Sequence, residues 1–384
     1  MVRSAKFACY RLLLLLTVLP ASSLDGRAQN RGVSRGPSAE PQTIEPPLAK
    51  NQIRVHANEV IAPVTVTDKK GELVLDLAQT DFHVFENGVE QAIDYWDLDG
   101  DSLAVALVIE TSSHIQAMMP VIHSLGSIFT ETVMALNGEA AVITYDATVD
   151  VRQPFTQDHD AVEKAISKVD FVAPEMKLYD AMAASVQLLK ARPSTRRRIM
   201  LIVGESQDYS SEAKLGQVLR DAQLANITIY AVGPSSATAD LRYGTLGLSG
   251  RNKLPPIKLA KHLPPISTQA PPDDPMGRPH FDLLTPAIWL IMRGTNEIKN
   301  HQLEVAAAAT GGVHYRALRD ETIRTALDKV GGELHAQYVL SYMPRAERPP
   351  GFYEIKVTVS RPDVTVRTRP GYYLDPSDRP QPAP

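Results

Sequence analysis

The stretch from Ser102 to His114 reads Ser-Leu-Ala-Val-Ala-Leu-Val-Ile-Glu-Thr-Ser-Ser-His. The seven apolar residues Leu103–Ile109 run without alternation, are partly β-branched, and are too few for a free-standing helix. That pattern predicts a strand buried on both faces, the kind found in parallel sheets. The strand gives way at once to Glu110, Ser112 and His114, and a helical pattern begins at Ile115. In an open α/β sheet the carboxyl end of such a strand is where ligands are met.

On the C-terminal side the alternation continues. An apolar stripe through Met119, Ile122, Leu125, Ile128, Phe129 and Val133 predicts one helix over about Ile115–Leu136. Strands are expected at Ala140–Tyr145, Thr148–Arg152, Ile199–Val203, Ile227–Val232 and Val313–Tyr315. Helices are expected from His159 onward and at Leu178–Leu189, Lys214–Leu224, Leu303–Ala309 and Ile323–Leu334. Strands and helices alternating at this pace predict a doubly wound, mostly parallel sheet covered on both faces, over residues 101–335. A segment at 235–280, with eight prolines between Pro255 and Pro279, interrupts the rhythm and reads as a surface insertion. The more apolar Phe281–Met292 after it is expected to pack against the core.

On either side the pattern is all strand. Residues 51–98 include Val60–Val66, where Pro63 marks an edge or a break, then Asp81–Phe85, a turn at Glu86-Asn87-Gly88, and Ala92–Trp96. Residues 336–374 add Gln337–Tyr342, Phe352–Val359 and Val364–Arg369. Forty-odd residues of strand are hard to stabilise alone. The expectation is therefore a composite β-sandwich from both ends with the α/β domain inserted; two separate β modules are the alternative.

The beginning of the chain reads as an export signal over residues 1–28: Arg3 and Lys6, the apolar run Leu12–Leu19, and small residues for cleavage at Ala21-Ser22-Ser23 or Ala28-Gln29. An uncleaved anchor is the alternative, and it would be the chain's membrane contact. A proline-bearing spacer follows at 29–50, and residues 375–384 form a tail. The one cysteine, Cys9, lies inside the signal, so a mature chain has no disulfide or thiol chemistry. A net charge of −4 gives no reason to expect nucleic acid, and no glycine-rich phosphate loop follows any strand, which argues against nucleotides.

Six strings, in this order, carry a resemblance: Leu178-Tyr179-Asp180-Ala181, Leu201-Ile202-Val203-Gly204-Glu205, Ile227-Thr228-Ile229-Tyr230-Ala231-Val232-Gly233, Thr310-Gly311-Gly312, Tyr338 to Pro344, and Arg369-Pro370-Gly371-Tyr372. From about Ile53 to Leu374, leaving out the insertion, the chain resembles secreted bacterial proteins that carry a von Willebrand factor type A domain between short β segments. The resemblance implies a doubly wound sheet and adhesion to a protein or surface ligand, often through a divalent metal at the sheet rim.

The family's metal pattern is altered here. Against Asp-x-Ser-x-Ser the chain has Glu110-Thr111-Ser112-Ser113-His114, so only Ser112 matches fully. The family threonine corresponds to Met176, and the later aspartate to Glu205. Magnesium or manganese would be left with Glu110, Ser112 and Glu205, two of them one methylene too long, while a thioether offers a hard cation nothing. Zinc held by His114, Glu110 and Glu205 is the other metal alternative. Gly204-Glu205-Ser206 stands between a strand and a helix like a nucleophile elbow, but the closing glycine is missing and no spacing ties Ser206 to His301 or His314. Arg196-Arg197-Arg198 is expected to face solvent at the opposite end of the sheet. The reading that follows is a non-enzymatic, exported protein-binding or adhesion module without a metal or cofactor. Its contact rim comprises Glu110, Ser112, His114, Asp146, Met176 and Glu205, with Met176 either an exposed apolar contact or a buried plug in the space of the absent ion. A structural envelope component that works through its sandwich is the alternative, and a serine hydrolase a remoter one.

Overall fold

The computed structural model describes residues 59–98, 102–170, 175–205, 207–234, 301–317, 320–344 and 349–374. The signal, the spacer, the insertion at 235–280, Phe281–Met292, Ser206 and the tail therefore lie outside the described residues.

Leu103–Glu110 forms β5, and every one of its residues is buried. It pairs in parallel with β6 (Glu139–Tyr145) on one side and β8 (Arg197–Val203) on the other. β9 (Ile227–Gly233) and β10 (His314–Arg316) continue the sheet in parallel beyond β8, and β7 (Val149–Thr156) closes the other edge antiparallel to β6. The order β10-β9-β8-β5-β6-β7 reverses direction between β5 and β8. Such a reversal splays the connecting chain to opposite faces and opens a crevice at the strands' carboxyl ends.

The alternation of β5 sorts its side chains by size. Ala104, Ala106 and Val108 join the core under α4 (Leu178–Lys190), α5 (Leu215–Leu224) and α6 (Gln302–Thr310), while Leu103, Val105, Leu107 and Ile109 join the opposite core. That second face is covered by the segment Ile115–Met134, α3 (His159–Ser167) and α7 (Asp320–Leu334). The single long helix expected at Ile115–Leu136 is instead a 3₁₀ turn (Ser113–Met118), α1 (Met119–Ser124), α2 (Gly126–Ile128) and a π-helical turn (Phe129–Met134). The apolar stripe is real, but Thr130 and Thr132 turn their hydroxyls onto the carbonyls of Ser127 and Ile128, and Ala135 N donates to Thr130 O, one residue beyond the α-helical spacing.

The two ends of the chain form one sandwich, as expected. One sheet runs β13 (Val364–Thr368), β1 (Val60–Asp68), β11 (Tyr338–Tyr342), β4 (Tyr95–Leu98); the other runs β14 (Gly371–Leu374), β12 (Gly351–Val359), β2 (Phe82–Glu86), β3 (Val89–Gln91). Both contribute to a single core that includes Val64, Val84, Tyr338 and Ile355. Four details differ from the sequence expectation. The strand placed at Ala92–Trp96 is shifted to β4, with β3 a separate strand before it, and the one at Thr148–Arg152 extends to Thr156. Pro63 sits in an interior strand, tolerated because β1 meets β11 over residues 60–64 and β13 only from Val64 onward. Arg196, Arg197 and Arg198 do not simply face solvent: they are half-buried, donating to the carbonyls of Leu103, Asn137, Leu334, Ala225 and Arg192.

Candidate functional site

Glu110 is the last residue of β5, and Gly204-Glu205 follows β8, so the two carboxylates meet at the reversal point of the sheet. Glu110 is fully buried. The Ser112 hydroxyl donates to its Oε1, and the Glu205 backbone N–H donates to its Oε2 at 2.6 Å. Tyr145 ends β6 in register with Glu110 and is buried beside it. Gly204 makes room for both: a Cβ there would lie 2.5 Å from the Tyr145 hydroxyl and 2.7 Å from Glu110 Oε2. Burial raises the Glu110 carboxyl to about 7, against the opposing pull of the Ser112 and Glu205 N–H hydrogen bonds, with the Glu205 charge adding to the rise. Burial, then the Glu110 charge, also holds the Tyr145 phenol far up in its neutral form.

Three loops are knitted around this centre. After β6, Asp146 is buried with its carboxylate accepting from Thr111 Oγ1 at 2.7 Å and Thr148 N at 3.0 Å, and its carbonyl accepts from Lys177 N. Before α4, the Met176 carbonyl accepts from the backbone N–H groups of Tyr209 and Ser210 at 3.1 and 3.3 Å. After β8, Asp208 Oδ1 accepts from Tyr179 N at 3.2 Å, so it caps α4 from another loop. Burial raises the Asp208 carboxyl despite its Ser211 partner. Asp180 in the first turn of α4 returns the connection, accepting from Glu212 N and Ala213 N at 3.1 and 2.8 Å.

The structure thus brings together Glu110, Ser112, Asp146, Met176 and Glu205, but beneath the rim. All five are buried, which places them beneath the contact surface expected of them, and Met176 takes the buried alternative. The reason is local. Glu110 and Ser112 bond each other, Asp146 is used up by Thr111 Oγ1 and Thr148 N, and Met176 is fully buried while its carbonyl anchors the loop after β8. The side chain of His114 lies outside the described residues. What the rim exposes instead is Ser113, Gln116, Thr148, Glu175 and above all Tyr209, 62% accessible. Tyr145, Asp180, Asp208 and Tyr209 were not singled out by the sequence reading. Tyr145 was findable, since a parallel strand ending level with β5 must place its last residue beside Glu110; Asp208 and Tyr209 had no such signal.

The donor set does not suit a hard divalent cation. Both oxygens of Glu110 are engaged internally, Met176 stands where an oxygen is needed, and among the described residues no three His, Cys, Asp or Glu side chains converge on one point.

The strand order, the antiparallel edge and the carboxylate at the reversal point define a doubly wound α/β domain, the fold that the resemblance to von Willebrand factor type A domains implies. No family model matches the chain, and no curated protein matches its sequence. Solved structures with some likeness include an aerotolerance-related membrane protein from Bacteroides fragilis and the protein BatB from Bacteroides thetaiotaomicron. Each is 10% identical at a TM-score of 0.38, over 60% of this chain and 99% and 98% of theirs. The SpRpn10 VWA domain is 13% identical at a TM-score of 0.27, over 38% of this chain and 83% of its own.

Proposed function

We propose that the chain is an exported, non-enzymatic protein-binding module whose recognition surface is the loop rim at the carboxyl ends of β5, β6 and β8, working without a metal ion. The observation that carries this reading is the internal closure of Glu110: a carboxyl raised to about 7, with both oxygens satisfied from within, supports a structural keystone rather than a ligand group. Those hydrogen bonds join the loops after β5 and β8, and the bonds of Asp146, Met176 and Asp208 tie in the loops after β6 and before α4. Rigid loops at a sheet's reversal point suit recognition. Tyr209 is the natural anchor, because an exposed aromatic on an ordered loop offers large contact area at little entropic cost.

The envelope-structural reading draws on the sandwich, where the edge strand β3 exposes Val89, 64% accessible. Capture from an exported fraction in the presence of a chelator separates the two. With rim recognition, Tyr209→Ala lowers capture at least tenfold and Val89→Lys leaves it unchanged. The opposite outcome assigns association to the sandwich.

A further inference from the structure

At the end of the sheet opposite the rim, a crevice of about 70 Å³ lies between the first residues of β8 and β9 and the sandwich strands. By the same measure one water needs roughly 10–15 Å³, so there is room for several waters or one small solute. Arg196, Arg197, Arg198 and Arg369 line it together with Gln223, Asn226 and Thr228, and its lining includes no Asp or Glu. Arg369 is buried, and among the described residues its guanidinium donates only to neutral acceptors: the carbonyls of Gly371, Ile61 and Gln223, and Asn226 Oδ1 at 2.6 Å. Arg198 likewise donates to the carbonyls of Ala225 and Arg192, and its buried Nε has no hydrogen-bond partner among the described residues. One buried and one half-buried guanidinium with no carboxylate partner among the described residues are a costly arrangement.

The second orphan in the lining is an acceptor. Gln223 Nε2 donates to Ala309 O at 2.7 Å, which fixes the orientation of the amide, and leaves the buried Oε1 with no partner among the described residues. A solute that satisfies the crevice must therefore bring negative charge and acceptor oxygens for arginine, and also an O–H for Gln223.

We propose that this crevice is a binding site for a small oxyanion bearing a hydroxyl, of the hydrogen-phosphate class. Phosphate at neutral pH has both the acceptors and the donor, whereas sulfate has only acceptors. Water alone satisfies the orphan atoms but leaves the two positive charges uncompensated. Because β8 and β9 contribute one wall and the sandwich the other, the bound anion ties the two parts of the molecule together. Burial lowers both guanidiniums, Arg369 to about 10, and a bound anion would reverse that shift.

Calorimetric titration of the full chain with inorganic phosphate and with sulfate, at pH 7 and matched ionic strength, tests the site. Saturable one-to-one phosphate binding at least tenfold tighter than sulfate is expected. Arg198→Gln should weaken phosphate tenfold or more, and Gln223→Met should bring phosphate down to the sulfate level. No saturable phosphate binding, phosphate no better than sulfate, or a folded Gln223→Met variant that keeps the preference would each overturn the proposal. The wild-type comparison decides it even where Arg198→Gln does not fold.

Discussion

Glu110 is a carboxyl held where a charge is expensive, and its linkage to pH follows from that. Its folded value, about 7, lies above the unfolded value near 4.5, so the folded chain keeps a proton that the unfolded chain loses between those limits. Stability from this group is therefore intact below about pH 4.5 and falls as pH rises to about 7, by up to about 1.4 kcal/mol per unit. Glu110→Gln keeps an acceptor for Glu205 N and removes the ionisation. Its melting temperature should exceed that of wild type at pH 8 and converge with it at pH 5; parallel curves across the range would show that Glu110 does not titrate in this window. Met176 gives a second test. As a buried side chain it should accept Leu at a cost below about 1.5 kcal/mol, whereas Met176→Asp places an unpaired charge in the interior and should lower the melting temperature by many degrees. At this scale the sequence was readable in position but not in environment. The carboxylates at 110 and 205 fell where a buried strand stops, but whether they faced solvent depended on Ser112 and the Glu205 N–H closing over Glu110. A one-dimensional pattern carries no signal for that.

Among the elements, α4 shows how the rim is held. Its N-cap, Lys177, makes no side-chain cap, and Asp208 supplies one from the loop after β8. Asp208→Ala should cost about 0.5–2 kcal/mol in urea unfolding, with Asn at the same position recovering most of the loss. Equal destabilisation by Ala and Asn would mean that the charge rather than the acceptor matters. The strands β5, β6, β8 and β9 were legible because each is a short apolar run between turn signals. The segment after β5 was not. Its stripe has helical spacing, yet Gly126 lets α3 approach so closely that a Cβ there would sit 3.3 Å from Glu163 Cα, and threonine hydroxyls compete for the backbone of the following turns. Tertiary contact overrides local periodicity in that stretch.

The molecule as a whole is joined at Glu333. This buried carboxylate in α7 meets Arg367 of β13 at 2.5 Å and accepts from Thr65 of β1 and Tyr230 of β9, so one residue links the sandwich to the α/β domain. Removing one partner of a buried pair typically costs about 3–5 kcal/mol, because the other charge is left alone. Arg367→Met and Glu333→Gln should each destabilise strongly, while the double variant should cost clearly less than their sum; additivity would mean that the pair is not coupled. Long-range joints of this kind are invisible before folding, since Thr65 and Glu333 are 268 positions apart. The need for the sandwich was nonetheless readable, because neither β segment could bury a core alone.

The closed carboxylate at the sheet's reversal point is tested most directly by calorimetric titration of chelator-treated protein with magnesium and manganese. With Glu110 engaged by Ser112 and the Glu205 N–H, and Met176 in place of an oxygen, no saturable binding is expected tighter than about millimolar. A one-to-one isotherm in the micromolar range would contradict this and restore the rim to metal-dependent adhesion.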